Sequence, residues 1–478
     1  MNAAGRTPLR ILTVAFAASA LLVVLQTVVF RSLPYDSSAV GTVSVALRVG
    51  FLLADALTLI GLLALRPRLG PGSALGLLGA LLVLGGVISG AVGLAVSAIG
   101  SRAQTLASLG KPLGSAEPMW SLGVALLAAL GIASVSPLPF RAHARGLVTA
   151  IGMLVALAVA FRIGQLGVPG PRSLAMAWTS WALEVVRPAL VALLAIVAGR
   201  GAGKGHATKA APEGPYRAAG EGPPAVSDAA AGPVATAAFG QASRALAFYQ
   251  VTFAVRLAAA IVSPIAALIF SSYVRGSFFA QFWLLLVVGA GANGLGAIAA
   301  FRLLALPRAA EARGPVIGAA LAMGLAMLLE VFTSLYALYG WIAGARYTGE
   351  QNVVFGLSVG WPIAVLLGGV SLILVASALV RVGELVVSDR VTSRAFRSQA
   401  LTVFAGALQT GAVLAVIDAT SGRYTSSAAP GAILLFAMVL VTVGVTIATV
   451  VVHLVAVSAA RAHLRLSMQP SASLSAGL

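Results

Sequence analysis

The chain contains no cysteine, which excludes disulfides, thiolate metal sites, a cysteine nucleophile and a lipoprotein anchor. Histidine is almost as scarce. The four present, His143, His206, His453 and His463, are scattered, and no pair has the spacing of metal ligands. Acidic residues number only 13. They form no paired carboxylates in the outer loops, as a lipid-linked sugar transferase would want, and neither a nucleophile elbow nor a phosphate loop occurs. We therefore expect no enzyme, no metal and no cofactor. Charge of either sign is rare, at 9% of residues, against about a quarter in a soluble domain.

What is present is oil. Hydrophobic residues make up 59% of the 478, so the solvent for most of the chain is lipid. A hydrocarbon core of roughly 30 Å needs about 20 apolar residues in helical form. Runs of that length fall at Leu9 to Phe30, Val43 to Leu65, Ala74 to Ile99, Met119 to Val135, Leu147 to Leu166 and Leu174 to Ala198. Six more follow at Leu246 to Phe270, Phe279 to Phe301, Val316 to Ile342, Val354 to Val380, Ala400 to Val416 and Ala432 to Val457. Lipid requires every backbone donor and acceptor to be paired within the segment, and runs this long and continuous suit helices rather than barrel strands. The expected fold is an all-α polytopic membrane protein of about 12 transmembrane helices. The first run, behind Arg6 and Arg10, is long enough to be an uncleaved span rather than a signal peptide.

Between the two sets of runs lies a Gly, Ala and Pro-rich segment without apolar periodicity. Such a segment cannot bury enough apolar surface to offset its ordering entropy, and it reads as a flexible linker. The expected organisation is a six-helix half over 1–199, a linker over 200–245, a second half over 246–460 and a tail over 461–478. The net charge of +18 does not point to nucleic acid, because the cations sit between apolar runs. They favour the loops on the linker side by about three to one, which places the linker and both termini in the cytoplasm and the chain, multi-pass, in the cell membrane. All six Trp then fall toward the outer ends of their runs, as a belt at headgroup level would. Arg390, Arg394 and Arg397 sit at helical spacing in an inner loop, either meeting anionic lipid or serving as ordinary inside charge.

The halves echo one another. Ala64-Leu65 recurs as Ala305-Leu306 and Trp120 as Trp361, each 241 residues on, while Gly70-Pro71 recurs as Gly314-Pro315 at 244. Six helices per half would relate the two as parallel repeats about an axis along the membrane normal. Major facilitator transporters and the multidrug and lipid flippases have the same plan, a likeness of architecture alone.

One stretch, GAGANG from Gly289 to Gly294, fits the dinucleotide fingerprint G-x-G-x-x-G. It lies inside an unbroken apolar run, so close helix packing on Gly289, Gly291, Gly294 and Gly296, with Asn293 bonding across the contact, is the better reading. Ionisable groups at mid-depth carry the stronger signal, since each costs a few kcal/mol unless paired or wet. They are Asp55, Glu184, Arg187, Arg256 and Glu330. Glu184 and Arg187, three apart, can pair directly beside the helix-disrupting Pro188. Arg256 has no local acid and requires one from another helix, Asp55 or Glu330. Arg48 and Arg162 lie nearer the ends of their runs, where they can snorkel.

Two functions fit these charges. The first is a secondary transporter or flippase-like carrier of a small solute, possibly anionic, or a lipid-linked substrate by alternating access. In it Arg187 and Arg256 attract the anionic group, and Asp55, Glu184 or Glu330 binds a proton or cation. The alternative is a non-transporting membrane scaffold or subunit of a larger complex. There the same charges form buried ion pairs or meet a second membrane subunit.

Overall fold

A computed structural model of the chain describes residues 3–32, 38–99, 104–136, 140–167, 174–204, 233–273, 278–343, 352, 356, 360–420 and 429–467. Among these there are twelve long α-helices and no strand. They are α1 (Ala3–Ser32), α2 (Ser38–Leu65), α3 (Ser73–Ile99), α4 (Gln104–Ser134), α5 (Arg141–Gly167) and α6 (Leu174–Lys204), then α7 (Pro233–Tyr273), α8 (Phe278–Arg302), α9 (Arg313–Ile342), α10 (Trp361–Leu385), α11 (Asp389–Thr420) and α12 (Ala429–Leu466). Ten of the described helices are long and apolar enough to cross a membrane. The chain is a multi-pass integral membrane protein.

Helix α9 shows how such a sequence chooses its faces. Ala319, Ala322, Met323, Ala326, Glu330, Thr333 and Ala337 recur every three or four residues and are buried. Leu321, Leu325, Leu328, Phe332 and Leu335, on the other side, are each more than half exposed. The helix is amphipathic in size rather than polarity. Small residues let neighbouring backbones approach, and large ones face the surroundings.

The chain forms two compact units, Met1–Arg162 with Gly170–Gly214 and Val403–Thr449, and Ile163–Pro169 with Pro215–Thr402 and Val450–Leu478. In the first, α1 packs on α2 and α6, α2 on α3, and α3 on α4. Glycine sets these distances: a Cβ on Gly61 would lie 2.7 Å from Leu12 Cδ2, and one on Gly76 3.1 Å from the Leu62 carbonyl oxygen. Leu9, Leu12, Leu62, Leu65, Leu75, Leu127, Ile132 and Leu194 are fully buried. They lie where α1 and α3 begin and where α2, α4 and α6 finish, so the apolar core closes one end of this unit. In the second unit α7, α8, α9 and α10 pack in succession, over a core that includes Leu246, Leu303, Leu306, Val316, Leu379, Val382 and Leu464.

Two connections share a design. The α2–α3 link is a pair of 3-10 turns, Arg66–Arg68 and Gly70–Gly72, and the α8–α9 link is another pair, Leu303–Ala305 and Arg308–Ala310. Each contains one residue in the left-handed region, Gly70 at φ 48° and Glu311 at φ 51°.

Three expectations need correction. Helix α4 begins at Gln104, well before the expected Met119, and carries Pro112 and Pro118 inside it. In a membrane bundle neighbouring helices support a proline-interrupted backbone, so prolines that end a soluble helix do not end this one. Trp120 consequently sits in the middle of α4, only 6% exposed, with its ring on Gly85. It is a core residue, not a headgroup anchor. The expected linker is helical at both ends: α6 runs to Lys204, and α7 starts at Pro233 because Ala242, Ala245, Leu246 and Tyr249 recur on one buried face. Residues 205–232 of that segment lie outside the described residues, as do 468–478 of the tail.

Candidate functional site: a charged cavity in the first unit

A cavity of about 480 Å³ opens among α1 to α6, within the few hundred to 1,000 Å³ typical of small-molecule sites. Its wall takes Phe16 to Gln26 from α1, Phe51 to Thr58 from α2, Gly114 to Ala125 from α4 and Ser180 to Pro188 from α6. These are the middle and later part of α1, the middle of α2 and of α4, and the earlier part of α6. The cavity therefore lies from mid-depth toward the end opposite the leucine core.

Asp55, Glu117, Glu184, Arg162 and Arg187 all line it. The α5 guanidinium of Arg162 donates Nη2–H to Glu184 Oε1 at 2.5 Å, with 32% and 40% of the two side chains exposed. Glu184 thus pairs across helices, not with Arg187 as its spacing suggests, and Arg162 reaches inward instead of snorkelling. Arg187 remains within electrostatic reach of both. On the opposite wall Ser89 Oγ donates to Glu117 Oε2 at 2.7 Å. Asp55 lies within electrostatic reach of Glu117, with the backbone of Gly86 beside its Oδ2. No residue among those described donates a hydrogen bond or an ion pair to Asp55. No three of the described acidic or histidine side chains converge as metal ligands would.

No protein-family model, no curated protein and no solved structure matches this chain. Function must be argued from its own residues.

The other three candidates meet in the second unit. Arg256 on α7 donates Nη2–H to Asn293 Oδ1 at 3.2 Å, and Asn293 Nδ2 donates to Glu330 Oε2 at 2.7 Å. Arg256 does draw on the acid of another helix, but through an amide relay. The glycines of α8 make room for it. A Cβ on Gly289 would lie 2.6 Å from Glu330 Oε1, one on Gly296 2.8 Å from Arg256 Nη1, and one on Gly294 2.9 Å from Met327 Sδ. Around Gly291 there is nothing within 4 Å. The small-residue stripe therefore accommodates side chains of α7 and α9.

A second sealed network lies in the same unit. His453 is fully buried; the Tyr249 hydroxyl meets its Nε2 at 3.1 Å and the Ser398 hydroxyl its Nδ1 at 2.8 Å. Phe253 packs against the imidazole, ring centroids 5.2 Å apart. Such fully partnered groups hold a fold in one arrangement.

The six predicted site residues thus divide into a cavity group, Asp55, Glu184 and Arg187, and a relay, Arg256, Asn293 and Glu330. Glu117 and Arg162 were not legible as site residues. Glu117 precedes the apolar run of α4, between Lys111 and Trp120, and reads as loop. Arg162 reads as a terminal snorkeller.

Proposed function

We propose that the protein is a secondary carrier or flippase-like transporter whose substrate or coupling ion occupies the cavity among α1 to α6. One observation carries this reading: Asp55, at the middle of an apolar helix, faces a cavity with no hydrogen-bond or ion-pair partner among the described residues. A carboxylate there costs a few kcal/mol unless water, a proton or a ligand attends it. A purely structural charge would be tied up, as the acid of the Arg256–Asn293–Glu330 relay is.

We further propose that the chain is two six-helix repeats in the cell membrane, both termini cytoplasmic. Three features support the duplication. The neighbour order from α1 to α4 repeats from α7 to α10, both second connections are paired 3-10 turns, and the left-handed residues Gly70 and Glu311 stand 241 apart, the offset of Ala64-Leu65 and Ala305-Leu306. With this orientation the leucine core closes the cytoplasmic end of the first unit, and the cavity faces outward. Alternating access would open that end in turn. We assign the chain no catalytic step. The scaffold alternative draws its support from the second unit, where Asn293, Glu330 and His453 are held by internal bonds and Arg256 is tied to Asn293 through Nη2.

Single-cysteine labelling decides between the two, and the cysteine-free chain is a ready background. Cysteine at 55, 117, 184 or 187 should react with a membrane-impermeant thiol reagent from both faces, while cysteine at 293 or 330 should not. Inert cavity positions from both faces would overturn the carrier reading and leave the scaffold.

A further inference from the structure

The geometry points to a cargo that carries a positive charge, an ammonium or amidinium group, anchored on Asp55 with Glu117 beside it. This rests on the carrier reading, and it reverses the anionic expectation drawn from Arg187 and Arg256. Arg256 belongs to the relay. In the cavity, three carboxylates (Asp55, Glu117, Glu184) face two guanidinium groups (Arg162, Arg187). The Arg162–Glu184 pair is internally balanced, and Arg48 of α2, outside the lining, lies within electrostatic reach of Glu117, so the carboxylate left without a cation is Asp55.

The backbone adds acceptors. Proline has no N–H, so the carbonyl four residues earlier loses its helical donor. Pro118 does this to Gly114, and Pro188 to Glu184, and all four residues line the cavity. Carbonyls freed inside membrane helices, together with carboxylates, are the ligands that cations find in carriers. The rest of the wall suits the same guest. Phe16, Phe51 and Trp120 contribute to it, and aromatic faces attract organic cations. Hydrogen-bond acceptors without donors, beside aromatic rings, favour a guest that brings both N–H groups and charge.

The test is a set of ligands of one shape and three charges: benzylammonium, benzyl alcohol and benzoate. Equilibrium dialysis against the purified full chain should rank them with benzylammonium tightest by at least about tenfold, the value of one charge-assisted hydrogen bond. Asp55→Asn should remove most of that preference and leave benzyl alcohol within about twofold, and Glu117→Gln should reduce it. The melting temperature of each variant reports whether it is folded. Benzoate binding as tightly as benzylammonium, no binding of any probe, or an unchanged preference in folded Asp55→Asn would each overturn the inference. If thiol reagents reach position 55 from both faces while charge makes no difference, the carrier reading stands and this inference alone falls. If they reach it from neither face, both fall.

Discussion

Adding a single methyl group to Gly289 should unlock the second unit. A Cβ there would sit 2.6 Å from Glu330 Oε1 and 2.9 Å from both Cδ and Oε2, closer than any real contact. Glu330 is 2% exposed, and its carboxylate is held by Asn293. Its displacement would break the 2.7 Å bond from Asn293. Overpacking of this kind costs about 1–3 kcal/mol, and a lost hydrogen bond to a charged group about 1.5–3 kcal/mol. Replacing Gly by Ala in a helix returns roughly 0.5–1 kcal/mol. The net expectation for Gly289→Ala is a loss of about 2–5 kcal/mol. Gly291→Ala, two residues away with nothing within 4 Å, keeps the helix gain without the clash and should be neutral or slightly stabilising. The assay is equilibrium or thermal unfolding of the two purified variants beside wild type in one detergent. Two further proteins, Glu330→Ala and its combination with Gly289→Ala, close the cycle: with the carboxylate gone, Gly289→Ala should cost at least about 1 kcal/mol less than in wild type. Equal melting of the Gly289 and Gly291 variants, or strict additivity with Glu330→Ala, would refute the idea that these glycines exist to house the relay.

Other expectations follow from the same contacts. Trp120→Ala should destabilise by about 3–5 kcal/mol, the range for a large buried aromatic, whereas a headgroup anchor would lose far less; unfolding in detergent reads the difference. His453→Ala strands the hydroxyls of Tyr249 and Ser398 and leaves a void, for a loss of about 2–5 kcal/mol in the same measurement. Reversing Arg162 to Glu or Glu184 to Arg should each lower the yield of monodisperse protein, and the double reversal should restore it. With 32% and 40% of these side chains exposed, the coupling is expected near the roughly 1 kcal/mol of a screened pair, and a double-mutant cycle showing none would remove the pair from the site.

The spans were legible because lipid allows few solutions: an apolar run of sufficient length has to be a helix, and among the described residues twelve long helices occur, ten of them long and apolar enough to cross a membrane. Length alone could not place the start of α4, since Lys111, Pro112 and Pro118 carry the same local signals as a loop. Only packing against neighbouring helices makes that stretch helical. The same error hid Glu117 and moved Trp120 from the core to the surface. Depth along a span identified Asp55, Glu184, Arg187, Arg256 and Glu330, but not which way each one faces. Asp55 and Glu330 look alike in sequence. One borders a cavity without a partner among the described residues, and the other is clamped by Asn293 and Gly289. That difference belongs to helix rotation, which composition does not encode. The length of a side chain also defeated simple spacing, because Arg162 reaches across from α5 to take the acid that Arg187 sits beside.

Helix α7 has 41 residues and α12 has 38, so at 1.5 Å per residue each is about twice as long as a hydrocarbon core is thick. Their surplus lies together: Gln250 bonds Ser458 at 2.8 Å, and Arg465 bonds Ser243 at 3.2 Å. A rigid marker protein fused in helical register onto Pro233, where the preceding residues can be replaced, would inherit the direction of α7 without a swivel. For a 48.0 kDa chain, such a fiducial would give single-particle imaging a feature to align on, and it would turn with any movement of the helix that carries Arg256.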